Sequence, residues 1–243
     1  DPQAEIMIPL VGSIQELGDE PSGLLRLVLP PGLPSHGLAL FCAAVRRTYP
    51  RIRLGVQFSA DPIGGLLRDV DMALHLGDQV PDGPWLTYEL MRAPVWLIAS
   101  QGYLQRRGRP SGPRDLLNHE CLVWQSPDSH PDELPLRDGG VLRVEPALSS
   151  TDIHVLRQLA AAGHGIALVP DARLPAAMTP DIKLADGPLV PVLEDVVGRT
   201  LVARVVIPAV LADVPRIKAV FDLGKALVDA TLSTRARATS AID

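Results

Sequence analysis

The sequence predicts an α/β protein of two lobes, each a mostly parallel sheet flanked by helices, with a cleft between them. Three observations carry this expectation. Residues 23–77 read strand, helix, strand, helix, strand, the alternation that right-handed crossovers lay onto a parallel sheet. The alternation restarts at Ser100. A strand and a helix are then left over after Thr200, and such a surplus pair can return to complete the first half. The expected lobes are therefore discontinuous, 22–98 with 201–230 and then 99–200, with crossings near Ser100 and near 198–200.

Each element has a local reason. Leu10, Ile14 and Leu17 recur at helical spacing and stop at the Gly18-Asp19-Glu20-Pro21 breaker, so residues 1–21 read as the end of a helix. Gly23-Leu24-Leu25-Arg26-Leu27-Val28-Leu29 reads as a strand. Pro30-Pro31-Gly32-Leu33-Pro34-Ser35 turns into a helix whose Leu38, Phe41, Cys42 and Val45 form one apolar stripe. That helix stops at Tyr49-Pro50, because a residue before proline is pushed out of the α region. Residues 52–56 alternate as a second strand, and Asp61-Pro62 has the N-cap and N1 chemistry of a short helix through Leu66, Leu67 and Val70. Residues 71–77 and 95–99 are two further strands. A short helix near 102–105, a strand at 121–124 and a glycine-flanked hairpin ending at 141–144 follow. Thr151-Asp152 caps a helix through Val155, Leu156, Leu159 and Ala160, and Gly163 ends it. Residues 166–169 form a buried strand closed by Pro170, 201–207 a last strand, and Pro215 starts a final helix. The small, polar tail, 231–243, is expected to be disordered.

Composition narrows the function classes. The chain has 243 residues, 47% hydrophobic and 21% charged, which is globular and far from disorder. No stretch is long and apolar enough to predict a membrane span, and the N-terminal Asp1-Pro2-Gln3-Ala4-Glu5 shows no secretory signal, so a cytoplasmic location is expected. Net charge is −5, and the richest basic run is Arg106-Arg107-Gly108-Arg109, too little to grip nucleic acid. Cys42 and Cys121, each flanked by apolar residues, read as two buried free thiols. The 24 prolines, about twice the usual frequency of roughly 5%, read as turn and helix-start punctuation.

Several catalytic patterns are missing. There is no Gly-x-Ser-x-Gly elbow, and the histidines at 36, 75, 119, 130, 154 and 164 lack paired ligand spacing. Asp69 and Asp71 read as solvated charges at a helix–strand junction, and Gly163-His164-Gly165 follows a helix where a phosphate loop would open one. No enzymatic activity, metal or cofactor is expected.

Beyond these, the order of fragments along the chain resembles a family. Gly23-Leu24-Leu25-Arg26-Leu27, Phe41 to Tyr49-Pro50, Asp71-Met72-Ala73-Leu74-His75-Leu76-Gly77 and Ala99-Ser100-Gln101-Gly102-Tyr103-Leu104 are its first part. Arg109-Pro110, Pro113-Arg114-Asp115-Leu116, His119-Glu120-Cys121-Leu122, Ala162-Gly163-His164-Gly165-Ile166-Ala167-Leu168-Val169-Pro170, and Pro208 with Val214-Pro215-Arg216-Ile217 complete it. This string resembles the effector-binding (regulatory) domain of LysR-type transcriptional regulators. The resemblance implies a type II periplasmic-binding-protein-like fold, and residues 1–21 match the end of the linker helix that follows the family's winged helix-turn-helix. It implies a small-molecule effector in the interlobe cleft, a homodimer or tetramer, and DNA contacted through the missing N-terminal domain. It also implies pairing of the helix at 38–47 with the partner's helix near 61–70. Where the family's third strand often carries Arg this chain has His75, which could favour a neutral or aromatic effector.

The expected effector residues are Gly32, Leu33, Pro34, Ser35, Ser100, Gln125, Ser149, Thr151 and Val169. Helix N-termini at 32–35 and 149–151 offer unpaired N–H groups, and in this family both face the cleft. Ser35 and Thr151 are open to two readings, capping alone or capping with ligand contact; Ser100 and Gln125 are either hinge hydrogen-bonders or cleft rim. Trp124 reads as core. Donors without basic side chains suit a small acceptor-bearing or weakly acidic molecule, with Leu33 and Val169 covering its apolar part. A transporter's solute-binding protein of the same fold is the alternative.

Overall fold

The computed structural model describes residues 20–33, 35–66, 69–77, 79–126, 130–170 and 186–239. Pro34, most of the linker-helix segment and residues 240–243 therefore lie outside the described residues. The elements run β1 (Gly23–Leu29), α1 (Ser35–Thr48), β2 (Ile52–Phe58), β3 (Met72–Leu76), β4 (Trp85–Ser100) and α2 (Gln101–Arg107). They continue with a 3-10 turn (Pro113–Asn118), β5 (Cys121–Trp124), β6 (Glu133–Pro135), β7 (Val141–Arg143), β8 (Pro146–Ser150) and α3 (Ile153–Ala161). The chain ends with β9 (Ile166–Pro170), β10 (Leu189–Val192), β11 (Arg199–Pro208) and α4 (Pro215–Thr239).

One nine-stranded sheet runs through the protein in the order β2-β1-β3-β11-β4-β9-β5-β8, with β10 also on β4. Its two ends are parallel, β2 and β3 on β1 and then β8 and β9 on β5. Its middle is antiparallel, because β4 and β11 run against each other and against β3 and β9. The α/β class and the parallel strands expected in each lobe are present, as the two ends of one mixed sheet where two sheets were expected. The cause is the length of β4, 16 residues against the five expected, whose first half is largely exposed and mixes apolar with polar residues without alternation, which hides the strand pattern. Pro94 is tolerated in this central strand because β9 and β10 join β4 only from Val95 and Leu97 onward, leaving one side of Pro94 without a ladder.

The apolar side chains divide into three clusters. Leu97, Leu116, Val123, Leu134, Leu156, Ile166 and Val169 centre the first, in the half built on β5 and β9. Leu25, Val45, Ile52, Ile217 and Val220 centre the second, where α1 and α4 cover one face of β1. Val28, Ile63, Leu66, Val70, Ala73 and Val206 form a smaller third cluster.

One further expectation is corrected. Among the described residues of 61–70 there is no helix: Asp61 Oδ1 accepts from Gly64 N at 3.0 Å, and Leu66 N donates to Ile63 O, which makes turns. The adjacent glycines Gly64 and Gly65 cost a helix about 1 kcal/mol each, enough to undo one that short. α4 runs to Thr239, through part of the tail segment 231–243. Cys121 is buried and its thiol is pushed up to about 11 by desolvation, with Glu120 adding to it, whereas Cys42 is only half-buried.

Candidate effector site

The parallel ends of the sheet decide where a site can form. In open α/β sheets ligands collect beyond the carboxyl ends of the strands. Here the carboxyl ends of two parallel sets meet around one cavity of about 20 Å³. From the first half come Pro30 and Pro31 after β1, Ala60 after β2 and Leu76 of β3; from the second come Trp124 of β5, Gln125 after it and Thr151 after β8. The prolines end the β1 ladder, since they have no N–H to donate.

The polar part of the wall is fixed by short hydrogen bonds. Gln125 Nε2 donates to Ser149 Oγ at 3.0 Å, and Gln125 N donates to the Ser150 carbonyl at 2.9 Å. Ser150 Oγ accepts from Asp152 N at 3.0 Å, and Asp152 Oδ1 accepts from His154 N at 2.8 Å. Asp152 is thus the N-cap of α3, and Thr151 keeps its hydroxyl out of the capping. Gly32 adopts φ 81°, and a Cβ there would stand 2.6 Å from Ile153 N. Only glycine lets the turn after β1 come this close to the start of α3. Leu33 packs against the apolar cluster of the second half, bridging the cleft.

Of the sequence-predicted residues, Gln125 and Thr151 stand on the cavity wall, with Ser149 held behind Gln125 and Gly32 and Leu33 beside it. Ser35 begins α1 and is exposed. Ser100 and Val169 are not brought to the wall. Val169 has no exposed surface and belongs to the core. Ser100 is equally buried and caps α2, accepting from Tyr103 N at 3.2 Å and donating to Asp186 Oδ2 at 2.7 Å. Arg106 closes that arrangement with bonds of 2.6 and 2.9 Å to Asp186. Hydrogen bonds from Arg106 first, and from Ser100 next, hold the Asp186 carboxyl down at about 2.

His75 is buried at 4% exposure beside Leu76; its Nε2 bonds the Gln79 carbonyl at 2.8 Å and its Nδ1 has no partner. Both ring nitrogens of His154, in the first turn of α3, are likewise buried without a partner. The wall residues missed in the sequence, Pro30, Pro31, Ala60 and Leu76, had one usable signal, their place at the carboxyl ends of predicted strands. Trp124 proves to be both core and wall. Among the described residues no group of His, Cys, Asp or Glu is placed to hold a metal, and no helix is long and apolar enough to cross a membrane.

A mixed sheet with two parallel ends around a shared cleft is the type II periplasmic-binding-protein-like class of fold. The LysR substrate binding domain matches residues 18–205, and the chain belongs to that family. It is 30% identical over 176 residues to the HTH-type transcriptional regulator CrgA of Neisseria meningitidis, covering 72% of this chain and 56% of that protein. It is 25% identical over 162 residues to the HTH-type transcriptional activator TtdR of Escherichia coli, covering 65% and 52%. The chain thus spans about half the length of these relatives. The solved CrgA regulatory domain superposes with a TM-score of 0.68 at 27% identity, covering 87% of this chain and all of that one. Full-length AphB of Vibrio cholerae, at 22% identity and a TM-score of 0.67 over 85% of this chain and 69% of its own, shares the fold.

Proposed function

We propose that this chain is the ligand-sensing part of a DNA-binding transcription regulator that acts in the cytoplasm. A small effector binds in the cleft between lobe I, 22–98 with 201–230, and lobe II, 99–200. Gln125, Thr151, Ser149, Gly32 and Leu33 form its surroundings, with Ser35 at the rim; Ser100 acts as a hinge cap and Val169 as core support. The observation that carries this reading is the convergence of strand carboxyl ends from both halves on one cavity. As it stands the cavity has room for about one water. A ligand therefore has to part the turn at Gly32 from α3, and that movement is the signal.

The signal passes to DNA-contacting parts outside this chain through a homodimer or tetramer in which α1 takes part. The partner surface near 61–70 is then made of turns, since its described residues form no helix. Sedimentation velocity over a concentration series tests the assembly; a monomer at all concentrations counts against it. A thermal-shift screen of metabolites tests ligand sensing: a ligand at 100 times its Kd adds about 2.7 kcal/mol of stability. The transporter alternative is not favoured, since the relatives are transcription regulators, and for the same reason an enzymatic role is not favoured.

A further inference from the structure

Resting on the reading of the cleft as the effector site, we propose that the effector is uncharged: a small, largely apolar molecule with one amide- or hydroxyl-type polar end. Among the described residues no charged side chain stands on the wall. Pro30, Pro31, Ala60, Leu76 and the Trp124 ring give it an apolar surface, and Gln125, Thr151 and the Trp124 indole N–H are the side-chain hydrogen-bonding groups among the described lining residues. Gln125 spends Nε2 on Ser149, which leaves Oε1 as an acceptor. The Thr151 hydroxyl makes no hydrogen bond to a described residue and can donate or accept. Together they suit a group that both donates and accepts.

The place where an anion would gain most, the N-terminus of α3, is already taken. The Asp152 carboxylate caps His154 N, so an anion here meets a negative charge even when the turn at Gly32 has parted from Ile153. Beside Ala60 the Asp61 carboxylate adds a second negative charge, bound to Gly64 N. Two arginines reach residues that adjoin the wall: Arg204 Nη1 bonds the Gly77 carbonyl beside Leu76, and Arg199 Nη2 bonds Ser126 Oγ at 2.7 Å beside Gln125. Both are directed onto acceptors of the protein itself, and Arg204 faces Glu89 across β11 and β4. A carboxylate moved into this cleft loses its hydration without gaining a paired cation, whereas a carboxamide of the same shape does not.

Isosteric pairs decide the matter: benzamide against benzoate, and isobutyramide against isobutyrate, titrated at pH 7 while amide NMR signals of Gln125 and Thr151 are followed. Three proteins are compared, the unaltered chain, Ala60→Trp to fill the cavity, and Thr151→Lys to add a cation, each checked for folding by its melting curve. The expected result is that an amide shifts the cleft signals and binds at least about tenfold tighter than its carboxylate. Ala60→Trp removes that binding, and Thr151→Lys reverses the order. A carboxylate that binds the unaltered chain as tightly as its amide, with Ala60→Trp abolishing both, overturns the uncharged effector and leaves the cleft as the site. Binding that survives Ala60→Trp, or no shift of the cleft signals by any of the four compounds, counts against the cleft itself. If Ala60→Trp fails to fold, the order measured on the unaltered chain and its reversal in Thr151→Lys still decide.

Discussion

Thr151 and Asp152 are adjacent at the start of α3 and have separate roles. Asp152 Oδ1 satisfies an amide the helix cannot, so Asp152→Ala should lower stability by about 0.5–2 kcal/mol in urea unfolding. Thr151 caps nothing, and Thr151→Val should stay within about 0.5 kcal/mol of the unaltered chain while weakening a bound effector. A variant Thr151→Val that melts early and binds normally would return Thr151 to the capping role. Ser100 is the converse case, chosen from sequence for the cleft but committed to Asp186 and Tyr103. Arg106 and Ser100 hold the Asp186 carboxyl near 2 against an ordinary 3.8, so the folded state favours its ionised form. That contribution is complete above about pH 4 and is lost as pH falls toward 2. Melting curves across this window should flatten in Asp186→Asn relative to the unaltered chain.

Among the elements, the turn after β1 sets the cleft. Gly32→Ala forces a Cβ into Ile153 N at 2.6 Å and demands φ 81° of a residue that resists it. The expected outcome is a loss of about 1–3 kcal/mol and faster hydrogen exchange at the first amides of α3, as the turn lifts away. Unchanged exchange there would mean that the turn and helix part at no cost. The failed helix at 61–70 shows the limit of local signals: Asp61-Pro62 is a good start, and Asp61 does accept from Gly64 N, yet Gly64-Gly65 stops propagation within one turn. At the other end, α4 passes the small polar residues from which disorder was expected and runs to Thr239.

For the whole molecule, net charge and cleft closure give the expected behaviour. With net charge −5 and no basic face in the sequence, this chain alone should bind duplex DNA no tighter than about 10⁻⁴ M at physiological salt, measured by fluorescence anisotropy. Salt-sensitive binding in the micromolar range would show that the DNA contact is not confined to other parts of the regulator. Because the cavity is only about 20 Å³, effector binding should change the interlobe distance, which small-angle scattering or a pair of spin labels on α1 and α3 reports.

Most strands and helices were legible because their signals are local: the apolar runs at 23–29 and 121–124, the stripe that buries Val45, the prolines at 30, 50 and 215, and Gly163 past the end of α3. The order of fragments also made the family legible. Pairing across the chain was not. That β4 and β11 bind both halves into one mixed sheet depends on ladders between residues more than 100 positions apart, and half of β4 is exposed and carries no apolar alternation. The wall was legible only where a residue advertised chemistry, as Gln125 and Thr151 do. Pro30, Ala60 and Leu76 join it because they end parallel strands that converge, and strand direction and convergence are properties of the sheet, which no single stretch of sequence contains.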